Sequence, residues 1–132
     1  STCMSEWVWV PLAALHVIHD RQISRHGGAS GTRDPALLEM GCTRPMNLAA
    51  YGDPDVFEIA AAYAYGIAKA HAFVDGNKRT AFVAAFTFLR LNDVFVRPDP
   101  AVGVRKMEDL AADEVSEEEF AAWLRELSTD GV

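Results

Sequence analysis

A ten-residue segment brings together side chains with complementary chemistry. It contains an imidazole, a carboxylate, an amide and two cations between two strongly apolar stretches, and it reads His71-Ala72-Phe73-Val74-Asp75-Gly76-Asn77-Lys78-Arg79-Thr80. An imidazole titrates near neutral pH and can take a proton from a hydroxyl group, so His71 is a candidate general base. Asp75 is a hard oxygen ligand of the kind that holds Mg²⁺ jointly with phosphate oxygens.

The residues that follow the carboxylate predict an anion site. Gly76 lets the backbone approach a ligand closely, and a helix starting at Asn77 or Lys78 points its unpaired N–H groups outward. Lys78 and Arg79 add fixed positive charges, which are the usual partners of phosphate. The predicted ligand is therefore a nucleotide polyphosphate.

These residues also have purely structural readings. Asn77 could be a helix N-cap, Asp75 a favourable charge at a helix start and Gly76 a turn residue. The two cations could be first-turn surface residues, and His71 could simply end a helix. The functional interpretation depends on their occurrence together between two apolar helices.

The elements that position this segment are predicted to be helices. Helical periodicity, caps and breakers place them at Pro11 to about Arg25, Ala36 to Cys42, Val56 to about Ala70, Thr80 to Leu91, about Ala101 to Ala112, and from the capping box Ser116-Glu119 onward. The stretch from Thr80 to Leu91 is apolar nearly all round, which predicts a buried central helix.

The connections are predicted from their Gly, Pro, Asn and Asp content. Gly27 to Arg33 is expected to be a loop and Arg44 to Gly52 an irregular stretch, while Asp53-Pro54 is expected to cap the third helix. Trp7 to Val10 and Val94 to Arg97 are expected to be extended.

Composition limits the class of protein. The 132 residues are 50% hydrophobic and 23% charged, which predicts one all-α domain over residues 1–132. The longest stretch free of charged side chains, Trp7 to His19, is too short to cross a bilayer, and no export signal opens the chain, so a cytoplasmic protein without a membrane role is expected. Met4 is a candidate native start, and Ser1 to Cys3 are given no function.

The charge is unevenly distributed. Residues 1–105 hold ten acidic and ten basic residues, whereas residues 106–132 hold nine acidic and two basic ones, which gives the net charge of −7. Such a chain lacks the basic face that nucleic acid needs, so direct DNA or RNA binding is not expected. The two cysteines, Cys3 and Cys42, indicate neither a disulfide framework nor a zinc site.

The segment from His71 to Ala81 resembles the signature of the Fic/Doc superfamily, and specifically of its Doc (death on curing) branch, the toxins of Phd-Doc type toxin-antitoxin modules. The resemblance extends from about Trp7 to Leu127 and implies a compact all-α bundle in which the motif loop precedes a buried central helix. Supporting segments are Gly27-Gly28, Gly31-Thr32-Arg33-Asp34, Leu37-Leu38, Arg44-Pro45 and Phe88-Leu89-Arg90-Leu91-Asn92.

The resemblance implies roles for the motif residues, with ATP and Mg²⁺ as the cofactors. His71 would deprotonate a Ser, Thr or Tyr hydroxyl of a target protein, and Asp75 would hold Mg²⁺ against the phosphates. Gly76, Asn77 and the backbone N–H groups up to Arg79 would form the anion hole. The Arg79 side chain would grip phosphate, and Lys78 would complete the catalytic set.

Two positions depart from the adenylylating members of the superfamily. Lys78 stands where they have Gly, and Phe82 stands where they have a second Arg that holds the γ-phosphate. The Doc branch shares both departures, which implies an inverted ATP with its γ-phosphate towards the base. The expected reaction is phosphorylation of a protein, with an EF-Tu-like translation elongation factor as the substrate class and arrest of protein synthesis as the outcome.

Partners and alternatives complete the prediction. The inhibitory helix found in many Fic proteins has no good match, because only Thr2 and Glu6 stand at its spacing and Trp7 follows them. Neutralisation is therefore expected from a Phd-like antitoxin. The alternatives are an AMP transferase acting on a protein hydroxyl and a non-catalytic binding protein. Trp7, Trp9 and Trp123 are assigned to either the core or a partner surface.

Overall fold

Six α-helices account for most of the computed structural model, which describes residues 7–130. They are α1 (Leu12–His26), α2 (Pro35–Tyr51), α3 (Val56–Ala70), α4 (Asn77–Leu91), α5 (Pro100–Ala111) and α6 (Glu117–Asp130). Extended pairing in the described range is limited to an isolated antiparallel bridge between Thr32 and Phe73. The predicted all-α class is confirmed. The expectations about Ser1 to Cys3, and about the spacing of Thr2 and Glu6, concern residues outside the described range.

The core is built around α3 and α4. Small side chains on α3 let α2, α4 and α6 pack closely on it, and its buried residues are Ile59, Ala60, Ala61, Ala62, Tyr63, Ala64, Ile67 and Ala68. The inner face of α4 is buried against α3 through Ala81, Ala84, Ala85, Phe88 and Leu89. The predicted buried central helix is confirmed for this face of α4, and α3 lies beside it at the centre.

The helix starts show how local polar groups fix the boundaries. The Asp55 carboxylate accepts from the Glu58 N–H and the Glu58 carboxylate accepts from the Asp55 N–H, both at 2.8 Å, which forms a capping box for α3. The expectation that Asp53-Pro54 caps this helix is wrong by two residues. The predicted box at Ser116 and Glu119 is confirmed, with hydrogen bonds of 3.0 and 2.8 Å.

The second helix is longer than the sequence predicts. We expected a helix from Ala36 to Cys42 and irregular chain from Arg44 to Gly52, but α2 continues through Pro45 to Tyr51. A proline inside a helix removes one hydrogen bond and costs about 3 kcal/mol. Burial of the inner face of α2 offsets this cost, and its buried residues are Leu38, Gly41, Cys42, Pro45 and Ala49.

Trp123 is buried in the core, whereas Trp7 and Trp9 are partly buried and pack against it. Trp7 and Trp9 lie against Phe88 of α4 with ring centroids 6.0 and 5.8 Å away. Trp123 of α6 is buried beside Phe120, with centroids 5.3 Å apart. These contacts fix the chain segment before α1 and the helix α6 onto the central pair.

Ion pairs attach the C-terminal part of the fold to α2 and α3. Hydrogen bonding to the carboxylate of Glu117 raises the pKa of Arg44, and hydrogen bonding to Lys69 lowers the pKa of Asp113. The pairs are Arg44 with Glu117, Lys69 with Asp113 at 2.7 Å and Arg125 with Asp55 at 2.6 Å. Within residues 7–130, none of the helices has the length and apolar character needed to span a membrane.

Tyr63→Phe should lower the free energy of unfolding by about 1–3 kcal/mol. The buried Tyr63 hydroxyl accepts from the Val10 N–H at 2.9 Å, and the variant leaves this buried donor without a partner. Burial also raises the pKa of Tyr63 from 10.0 to about 12.

Because the pKa of Tyr63 is raised in the folded protein, the phenol ionises at a lower pH in the unfolded chain than in the folded one. The stability advantage of the wild-type chain over Tyr63→Phe should therefore be complete below pH 10 and disappear as the pH rises to about 12. Urea unfolding of both proteins across this range is the measurement. A difference that stays constant with pH would contradict the expectation.

Candidate active site

The motif loop, residues 71–76, connects the two central helices and pairs with an upstream loop, residues 27–34. Helix α3 ends at Ala70, and the C-cap residue His71 has a left-handed backbone with φ 51° and ψ 42°. The Ala72 carbonyl then accepts from the N–H groups of Arg33 and Asp34 at 2.7 and 2.9 Å, and the Val74 N–H donates to Gly31 at 3.1 Å. The two loops therefore form one unit, although some forty residues separate them in sequence.

Phe73 fixes the motif loop in the core. Its side chain is buried, and its backbone N–H and carbonyl are both hydrogen bonded to the side chain of Asn77 at 3.0 Å. Its ring stacks on the buried imidazole of His19 of α1, with centroids 3.8 Å apart and planes within 5°. The Nε2 atom of His19 lies 2.8 Å from the Asp75 carbonyl oxygen. His19 thus holds the motif loop at two points, the ring of Phe73 and the backbone carbonyl of Asp75.

Asn77 begins α4, as the sequence predicts, but its side chain does not cap the helix. Gly76 is the N-cap of α4, with φ 77°, and Asn77 is the first residue of the helix. The Asn77 amide is used by Phe73, so the N-cap interpretation is wrong and its side chain is occupied within the loop. Only the backbone N–H of Asn77 is left to contribute to an anion site.

The carboxylate of Asp75 is exposed and held by both loops. One oxygen accepts from the Gly76 N–H at 2.8 Å, and the other lies 3.4 Å from the Ala29 N–H. Gly28, with φ +114°, gives this second oxygen its space, because a Cβ atom at Gly28 would stand 2.6 Å from it. The absence of a side chain at Gly28 therefore leaves room for the Asp75 carboxylate in this position.

The first turn of α4 presents donors and positive charge to the outside. The earliest helical hydrogen bond is from the Thr80 N–H to the Gly76 carbonyl at 3.0 Å, so the preceding N–H groups lack helical partners. Lys78 and Arg79 are exposed, and Arg79 donates to the Gly27 carbonyl at 3.2 Å. This arrangement suits a bound anion.

A cavity of about 500 Å³ opens beside these two cations, between α1, α4 and α5. Its size and its largely apolar lining, with polar groups at one end, are typical of a small-molecule site. Phe82 packs so closely on Gly103 that a Cβ atom there would stand 2.9 Å from the ring. The lining residues are Gln22, His26, Lys78, Arg79, Phe82, Val83, Pro100, Gly103, Val104, Met107 and Glu108.

His71 and Asp75 lie in the adjoining loop rather than in the lining of this cavity. The His71 side chain is exposed, and its backbone carbonyl accepts from the Arg33 guanidinium. The sequence analysis did not identify Arg33 or His19 as part of the site. The only sequence signal for Arg33 was its place in the upstream loop, and the only signal for His19 was its place on the inner face of α1. Among the described residues, no group of three His, Cys, Asp or Glu could hold a metal ion without ligands from elsewhere.

Residues 9–89 match the model of the Fic/DOC family. With this match and a helical fold that places the motif loop between the two central helices, the chain belongs to the Fic/Doc family. It is 39% identical over 118 residues to "Protein kinase doc" of Escherichia phage P1, an alignment covering 86% of this chain and 90% of that protein. It is 42% identical over 87 residues to "Toxin Doc" of Mycolicibacterium smegmatis, covering 64% of this chain and 65% of that protein.

Proposed function

We propose that this protein is a toxin-type kinase that transfers the γ-phosphate of ATP to a hydroxyl group of a protein. The observation that carries the proposal is the anion site itself, where Lys78 and Arg79 flank the unpaired N–H groups of α4 at one end of the apolar cavity. A base and a carboxylate stand in the adjoining loop. The name of the phage P1 relative, "Protein kinase doc", supports the same reaction class.

Each site residue has one task in this proposal. His71 takes the proton of the attacking hydroxyl, the anion site holds the phosphate oxygens, and the acceptor gains the phosphoryl group as ADP is released. Gly76 and the backbone of Asn77 supply the close approach, while Lys78 and Arg79 supply the charge. Phosphoryl transfer needs mainly positioning and charge stabilisation, which this set provides.

The residues present fit a bound magnesium ion. The Asp75 carboxylate is exposed, is oriented by backbone N–H groups and has lone pairs to spare. Asp75 would hold the ion together with phosphate oxygens, as one carboxylate commonly does. When bound, Mg²⁺ neutralises charge on the phosphate oxygens.

The position of Phe82 favours phosphate transfer over AMP transfer. Its apolar ring fills the space against Gly103 and offers no hydrogen-bond donor where adenylylating relatives have their second Arg. The Lys78 side chain adds bulk where they have Gly. Both features oppose the nucleotide orientation that AMP transfer needs.

The proposed biological setting follows from the family. We take residues 1–132 as one domain that acts in the cytoplasm on an EF-Tu-like elongation factor and is neutralised by a Phd-like antitoxin. The relative named "Toxin Doc" supports the toxin role. The balanced charge of residues 1–105 agrees with DNA contact being left to the antitoxin.

Labelled ATP tests the reaction directly. The protein and Mg²⁺ are incubated with a bacterial lysate depleted of ATP, and ATP labelled at the γ- or the α-phosphate is added in parallel. A protein band labelled only from the γ-position, and absent with His71→Ala, is the expected result, and its mass identifies the target. Equal labelling from the α-position would establish AMP transfer instead, whereas no labelling from either would favour a binding protein.

A further inference from the structure

Arg33 of the upstream loop makes an unusual contact with the motif loop. Its Nε and Nη2 atoms both donate to the backbone carbonyl of His71, at 3.0 and 2.5 Å, across 38 residues of sequence. Two donors from one planar guanidinium fix the direction of this carbonyl better than a single donor could. We propose that Arg33 is a positioning residue that holds the backbone of His71 for proton transfer, an inference that rests on the proposed function.

The backbone conformation of His71 explains why it needs holding. A helix that ends in the left-handed conformation usually places Gly there, because a side chain is strained at positive φ. Within residues 7–130, three residues other than glycine have a positive φ, namely His71, Asp93 and Asp113. Aspartate tolerates this conformation through local hydrogen bonds of its side chain, whereas the hydrogen bonds of His71 in the described range are made by its backbone carbonyl to Arg33. Strain of this kind is typical of functional sites.

The contacts around Arg33 separate the base from the nucleotide site. Its backbone N–H already fixes the Ala72 carbonyl at 2.7 Å, so removing only the side chain releases the carbonyl of His71 and keeps the pairing of the loops. Arg79, in turn, is hydrogen bonded to Gly27, and Lys78 stands on α4. Loss of the Arg33 side chain should therefore change the rate of transfer and leave ATP binding intact.

Arg33→Met and Arg33→Lys test this separation, with Arg21→Met as the matched control because Arg21 is an exposed arginine of α1 outside the site. For Arg33→Met the initial rate of γ-labelling should fall about 100-fold, the scale expected when a catalytic group is misplaced by about 1 Å. The affinity for Mg²⁺-ATP, measured by calorimetry, should stay unchanged. Arg33→Lys should keep part of the rate because it retains a cationic donor.

Two further measurements distinguish a positioning role of Arg33 from a purely structural one. Guanidinium ion added at millimolar concentration should restore part of the rate of Arg33→Met, since the guanidinium of Arg33 is exposed. The ¹³Cα and ¹³Cβ chemical shifts of His71 should move away from left-handed values in Arg33→Met and keep them in Arg21→Met. Thermal unfolding of each variant is the check that it is folded.

Several outcomes would overturn the proposal. A parallel loss of ATP affinity would place Arg33 in the nucleotide site, and an unchanged transfer rate or unchanged His71 shifts in Arg33→Met would remove the positioning role. If wild-type protein labels nothing, the proposed function fails on its own. The chemical shifts would then still decide whether Arg33 holds His71.

Discussion

His71→Ala should reduce γ-phosphate transfer by about 10²–10⁴-fold, the usual contribution of a general base, and leave the affinity for Mg²⁺-ATP unchanged. The separation is expected because His71 stands at the end of α3, whereas Lys78 and Arg79 stand on α4 beside the cavity. Initial rates of γ-labelling and calorimetric titration with Mg²⁺-ATP measure the two quantities.

Asp75→Asn is the informative companion to His71→Ala. It keeps the size of the side chain and one of its two acceptor oxygens but removes its charge, so Mg²⁺-dependent ATP affinity should fall together with the rate. The affinity for Mg²⁺-ATP should therefore fall in Asp75→Asn and stay unchanged in His71→Ala. Full transfer activity in His71→Ala would remove this imidazole from the mechanism, even if ATP still binds.

Gly28→Ala should reduce transfer strongly, by about 100-fold, whereas Gly27→Ala should retain it. Both glycines have positive φ, +114° and +79°, so a side chain strains the backbone at either position. A Cβ atom at Gly28, however, would stand 2.6 Å from an oxygen of Asp75, whereas one at Gly27 would have no atom within 4 Å. Only Gly28→Ala must displace the carboxylate.

The pair of glycine variants is a matched comparison. Urea unfolding should show losses of stability of about 1–3 kcal/mol in each, since both variants place a side chain on a backbone with positive φ. The rate of γ-labelling and its dependence on Mg²⁺ concentration should separate them. Equal rates in the two variants would mean that the position of the Asp75 carboxylate does not control transfer.

Much of the fold could be predicted because its signals are local. The apolar periodicity of α3, the capping box at Ser116 and the apolar stretch of α4 depend on residues within a few positions of one another. The motif loop could also be predicted from the sequence, because its polar residues lie within ten consecutive positions. The error at α3, where Asp55 rather than Asp53 caps the helix, was avoidable, because only Asp55 has a glutamate three residues later at the spacing of a capping box.

The continuation of α2 through Pro45 could not be predicted from propensity. Helix propensity describes an isolated chain, in which a proline costs more than an exposed helix can recover. In the folded protein Pro45 is buried, and Gly41 lies close to Ile67 of α3. Packing between helices thus overrides the local preference, and a single sequence does not state which residues will be neighbours.

The supports of the site were missed for a related reason. Arg33 and His19 act through the backbone carbonyls of His71 and Asp75, and a carbonyl is present at every residue. No spacing of side-chain types in the sequence reveals such a contact. The sequence predicts which groups would touch a ligand, while the structure shows which residues hold those groups in place.

The pairing between the upstream and motif loops bears on when the protein becomes active during synthesis. The proposed base lies after α3, the carboxylate lies against Gly28, and the phosphate donors lie at the start of α4. A chain growing on the ribosome cannot assemble these parts until α1, the upstream loop and α4 have all emerged and packed on α3. The proposed activity can therefore arise only after translation has passed the end of α4 at Leu91.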